Sequence, residues 1–135
     1  MKIISNTRLQ FNILNTLIAI VWFVNGLFCK IMNLVPRHEE IVAVILGKDY
    51  ARALIIIIGI LEVFMGIWVL SNYHKRFNTY TQILVIAAMN IIEFIVVPEL
   101  LLWGKINILF AAVFILIIYL NYSKLYLQLN KTRYA

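Results

Sequence analysis

The sequence predicts an all-α integral membrane protein: a four-transmembrane-helix bundle with a short interfacial helix between spans one and two. Three observations predict it. Hydrophobic residues make up 64% of the 135 and charged residues only 13%, whereas a soluble domain carries about 25% charged residues. Mean hydropathy is +0.93, and a soluble chain of this size buries only roughly 60–70% of its unfolded surface, too little to hide so much apolar area. The apolar residues fall into four runs, each close to the roughly 20 residues that a spanning helix needs. The runs are continuous, not alternating, and far longer than the roughly 9–11 residues of a barrel strand. A single membrane domain is expected over residues 1–135.

The first run is Phe11–Cys29, without a charge. It is longer than a signal-peptide core and no small-residue cleavage site follows, so it is read as a retained span. The second is Ala53–Leu70, broken only by Glu62. A carboxylate at mid-bilayer costs about 3 kcal/mol. Twelve Leu, Ile, Val or Phe residues in that run return about 4–7 kcal/mol on the same scale, so insertion still wins. The third run is Thr81–Val97, broken by Glu93, and the fourth is Ile106–Tyr122, with no charge.

The connection between spans one and two is long. Pro36 suits a first helical turn, and Glu39 and Glu40 then face the positive end of the helix dipole. Ile41, Val42, Val44, Ile45 and Leu46 follow, and Gly47 is a natural stop. Residues 36–46 are too few to span, so an interfacial or re-entrant helix is expected there. The links around residues 72–78 and 98–105 are short. Four spans put both termini on one side, with seven basic residues there and five on the other. The positive-inside rule then puts both termini in the cytoplasm. The formal charge of +6 is spread along the chain between apolar runs. That pattern speaks for topology signals and anionic lipid headgroups, and against nucleic acid.

Ionisable residues inside spans are functional candidates by default. Glu62 shares a face with Gly59 and Gly66, whose small size lets a neighbouring helix approach, so its carboxyl should point into the bundle. Asn90 and Glu93 are three apart and share a face of span three. Asn25 and Gly26 lie in the outer half of span one, with Trp22 and Cys29 on the same face. Lys30, at the outer boundary, is expected to snorkel to headgroups; pairing with Glu62 or Glu93 is the alternative. His38 on the connector is placed to titrate or to meet a headgroup. Trp68 and Trp103 suit interface or packing positions. The single cysteine, Cys29, argues against a thiol–disulfide pair. No metal-ligand pair, phosphate-binding glycine loop, Ser-His-Asp set or haem-type histidine pair is present.

The stretches Trp22-Phe23-Val24-Asn25-Gly26-Leu27-Phe28-Cys29-Lys30 and Val35-Pro36-Arg37-His38-Glu39-Glu40-Ile41-Val42, with Gly59-Ile60-Leu61-Glu62 and Ala88-Met89-Asn90, resemble the DoxX-like family of small bacterial membrane proteins. The resemblance runs from about Leu9 to Tyr122. It implies a four-helix bundle in the bacterial inner membrane and marks Lys30, His38, Glu62 and Asn90. The wider group includes proteins tied to quinone-linked sulfur oxidation, membrane oxidoreductase complexes and assembly of other membrane proteins.

The expected function is an accessory subunit, more a binder than an enzyme. It would hold a small amphipathic ligand, a quinone or a lipid, in a polar pocket formed by Asn25, Lys30, His38, Glu62, Asn90 and Glu93. A quinone-linked oxidoreductase subunit and an assembly factor are the alternatives. Membrane lipids, a membrane-protein partner or a second copy of the chain are the expected partners, and quinone the one cofactor in view.

Overall fold

A computed structural model describes residues 2–101 and 104–134; Trp103 lies outside them. Among these residues the chain forms four helices long and apolar enough to cross a membrane. They are α1 (Lys2–Ile31), α3 (Ala51–Ser71), α4 (Lys75–Val96) and α5 (Gly104–Arg133), with the short helix α2 (Arg37–Leu46) between the first two. The protein is a four-transmembrane-helix bundle. Its helices run past the apolar stretches, because the polar ends of α1 and α5 continue the same hydrogen-bonded backbone beyond the hydrocarbon. The residues of α1's start, the α3–α4 turn and the end of α5 share one end of the bundle, here the terminal end. The α1–α3 connection and the α4–α5 link form the other, the connector end.

Local chemistry explains the breaks. α2 starts directly after Pro36, carries Glu39 and Glu40 in its first turn and stops at Gly47, whose φ of 104° is accessible to glycine and costly for other residues. Asn72 closes α3 in the left-handed conformation, with φ 55°, a role asparagine tolerates. After Val96 the chain turns through Pro98–Leu100. Within α1, Val24–Ile31 is π-helical, as is Asn121–Tyr126 within α5; such widened turns re-aim side chains and cluster at functional sites.

The packing inverts the pattern of a soluble protein. Large apolar side chains such as Leu61, Phe64, Leu84, Ile95 and Leu109 are exposed, while Asn15, Lys30, Glu62, Lys75, Asn78, Thr79, Gln82 and Asn121 are buried. Lipid is as apolar as leucine, so outward apolar groups cost nothing, whereas polar groups must find partners inside. Ile18, Ala19, Trp22, Val69, Ile86 and Ile118 form the apolar centre. Beside it the Trp22 indole N–H donates to Gln82 Oε1 at 2.8 Å, and Gln82 Nε2 donates to Asn78 Oδ1 at 2.8 Å.

α2 closes the connector end. Ile41 packs against Val97 and Leu101, beyond α4, while Val42 packs against Ala51 and Ile55 of α3. Arg52 ties the corner together, donating to the carbonyls of Lys30 and Ile31 at 3.0 and 2.7 Å. Those carbonyls end α1, where helix carbonyls run short of backbone partners.

Candidate functional site

The site begins with two glycines. A Cβ on Gly26 would lie 2.5 Å from the Gly59 carbonyl oxygen, and one on Gly59 would lie 2.7 Å from the Gly26 carbonyl oxygen. Helices α1 and α3 therefore touch backbone to backbone, the close approach that small residues allow. Lys30 follows Gly26 by four residues and Glu62 follows Gly59 by three, so both side chains leave from this contact.

The Lys30 ammonium donates to Glu62 Oε1 at 2.9 Å and lies 2.8 Å from Oε2. The residues are 4% and 7% exposed, which makes this a buried ion pair. Snorkelling, expected of Lys30, does not occur. Its stem begins inside the glycine contact, with its own Cβ 3.1 Å from where a Gly59 Cβ would stand, and from there the nearest counter-charge is Glu62. The ammonium thus reaches both carboxylate oxygens, with hydrogen-bond geometry to Oε1.

The pair opens on a cavity of about 410 Å³ at the connector end. All six residues singled out in the sequence line it: Asn25 and Lys30 from α1, His38 from α2, Glu62 from α3, and Asn90 and Glu93 from α4. With Asn107 and Phe114 of α5, five helices converge on one chamber. Trp22, Met89 and Phe114 supply apolar wall, and Ile41 and Leu101 close the connector side. Val21 and Phe110 line the cavity and are also exposed on the bundle surface. Both are apolar, one on α1 and the other on α5.

Each polar member has a distinct state. Burial, reinforced by the positive charges of Lys30 and Arg37, pushes the His38 imidazole down to about 4. His38 is therefore neutral near pH 7, with one ring nitrogen able to donate and the other to accept. Asn90 is engaged on both sides of its amide: Nδ2 donates to the Ile86 carbonyl at 2.8 Å, and Oδ1 accepts from Asn107 Nδ2 at 3.0 Å. Its amide holds α4 to α5, which leaves it one N–H for anything in the cavity. Asn25 of α1 and Glu93 of α4 border the same space.

Two lining residues escaped the sequence reading of the site. Arg37 looks in the sequence like one more connector charge, and Asn107 opens a run without charged residues. The usable signal for Asn107 was a lone amide near the start of an otherwise apolar span, which needs an intramembrane partner. No group of three or more His, Cys, Asp or Glu residues placed to hold a metal ion occurs among the described residues. The chamber offers instead the Lys30–Glu62 ion pair, the Glu93 carboxyl, a guanidinium and a neutral imidazole. That set suits hydrogen bonding to a polar headgroup and movement of a proton.

The family model described as the DoxX-like family matches residues 19–120. The chain belongs to the DoxX-like family. The matched stretch contains all six predicted lining residues of the chamber and excludes only the first turns of α1 and the end of α5. No curated protein and no solved structure matches the chain. This DoxX-like protein is thus a multi-pass membrane protein whose family is shown, and its chemistry must be argued from the chamber itself.

Proposed function

We propose that this DoxX-like protein is an accessory membrane subunit that binds a small amphipathic ligand in the connector-end chamber, a quinone in its reduced, quinol form being the best fit and a lipid the next. The observation that carries the reading is the Lys30–Glu62 ion pair, buried at the edge of a chamber whose apolar lining residues Val21 and Phe110 reach the bundle surface. A buried ion pair is expensive unless further hydrogen bonds support it, and a ligand hydroxyl adds a donor to the Glu62 carboxylate. The volume of about 410 Å³ falls within the roughly 300–1,000 Å³ of small-molecule sites. In this reading Glu62 accepts a hydrogen bond or a proton from the headgroup. Lys30 keeps Glu62 oriented, Asn25 and His38 meet the ring oxygens, and the tail leaves between Val21 and Phe110 into lipid. Both termini face the cytoplasm from the inner membrane, a reading supported by the excess of basic residues at the terminal end.

The test is thermal unfolding in detergent with a short-tailed quinol, each variant compared with its own ligand-free baseline. Wild type should gain a saturable rise in Tm, as any ligand specific to the folded state produces. Glu62→Gln should lose it. No rise in wild type, or an equal rise in Glu62→Gln, overturns the proposal.

A further inference from the structure

The terminal end of the bundle holds a second site of opposite character. Lys75, the first residue of α4, is 4% exposed. No ion pair reaches it among the described residues, and residues 2–10, 71–78 and 120–134 contain no Asp or Glu. Its ammonium donates to Asn15 Oδ1 and lies 5.6 Å from the centre of the Phe11 ring. An ammonium has three N–H donors, and one of the three has an acceptor within the described chain. Asn15 Oδ1 is itself shared, since Asn121 Nδ2 also donates to it at 3.3 Å. A buried charge in such surroundings is expensive unless something opposite pairs with it.

The same lysine lines a cavity of about 440 Å³ with His74, Arg76, Tyr80, Tyr122 and Tyr126. Arg76 and Tyr80 are exposed, whereas Tyr122 is 8% exposed and stacks on Tyr126, with ring centres 5.9 Å apart. The lining therefore brings together a buried lysine, the exposed Arg76 and three tyrosines. It contains donors and no acid, which is the chemistry of an anion site. It lies where the apolar helices give way to basic ends, at headgroup depth.

We propose that this pocket binds a phosphate group, that of an anionic phospholipid, with the Lys75 ammonium and the Arg76 guanidinium on its oxygens. The site is separate from the Glu62 chamber and does not depend on the reading given to that chamber. Its occupant supplies the counter-charge that Lys75 lacks and ties the start of α4 to the bilayer surface.

The full-length protein in neutral detergent is titrated with phosphatidylglycerol, with phosphatidylcholine and with inorganic phosphate, and Tm is followed. Phosphatidylglycerol should give a saturable rise larger than phosphatidylcholine gives. Loss of one basic residue at an anionic lipid surface, worth about 1 kcal/mol, should weaken half-saturation about fivefold in Arg76→Gln. Arg76 is exposed, so this variant keeps the fold even if Lys75→Gln does not. Arg8→Gln, which removes an exposed charge at the same end but outside the pocket, should leave the titration unchanged. A rise with inorganic phosphate alone would keep the phosphate site and assign it to a soluble source. Equal responses to the two lipids, or equal losses in Arg8→Gln and Arg76→Gln, would overturn the proposal.

Discussion

Lys30 Nζ stands 2.9 Å from Glu62 Oε1 inside the bundle, both side chains more than nine-tenths buried, and the contact of Gly26 with Gly59 holds them there. Breaking a buried pair by removing one partner costs about 3–5 kcal/mol, because the other charge is left alone. Lys30→Met and Glu62→Gln should each show that loss in reversible unfolding in mixed micelles. The double variant leaves no orphaned charge and should recover most of it. Strictly additive losses in the double variant would show that the two residues do not stabilise each other.

Gly26→Ala should be more damaging than Gly66→Ala. The new methyl at Gly26 meets the Gly59 carbonyl at 2.5 Å, which is backbone and cannot yield. At Gly66 it meets the Phe23 ring at 2.8 Å, and a side chain can turn aside. Overpacking of this kind costs about 1–3 kcal/mol, and at Gly26 it should also abolish the quinol-dependent rise in Tm by moving Lys30 off Glu62. Equal tolerance at the two glycines would contradict the close approach.

His38 should make stability depend on pH in a defined direction. Its imidazole is held at about 4 in the folded protein, below its ordinary value of about 6.5. The folded state thus prefers the neutral ring, and this contribution is complete above about 6.5 and lost as pH falls toward 4. Tm measured from pH 7.5 to pH 4.5 should fall more steeply in wild type than in His38→Gln. Parallel curves would show that His38 does not sit in the apolar, cationic corner described.

The Asn90–Asn107 hydrogen bond should behave as interhelical glue. Asn107→Leu removes the donor to Asn90 Oδ1, and such bonds are worth on the order of 1 kcal/mol in membrane bundles. A double-mutant cycle with Asn90→Leu should give a coupling of about that size. A coupling indistinguishable from zero would leave α4 and α5 joined by apolar packing alone.

Much of the molecule was legible in one dimension. Four charge-poor runs announce four spans, because length and apolarity are all that a bilayer demands of a helix. The start of α2 at Pro36 and its stop at Gly47 are local backbone effects and read directly. Glu62 and Glu93 stood out because a carboxylate in hydrocarbon is conspicuous against its neighbours. Asn15, Lys75, Gln82 and Asn107 did not. Amides inside a span are mild anomalies, and Lys75 reads as one more basic residue in a loop until the fold buries it.

The sequence by itself determined the spans, the connector and which ionisable residues lie within membrane depth, since each of these follows from composition along a single helix. Only the tertiary structure decided who faces whom. Lys30 could reach headgroups or a carboxylate by length alone, and the glycine contact between α1 and α3 resolves that choice by setting its stem inside the bundle. The chamber likewise exists because four helices bring together residues from Asn25 to Glu93. Spacing along one helix says which face a side chain occupies; it holds no information on the distance to the next helix, which packing alone sets.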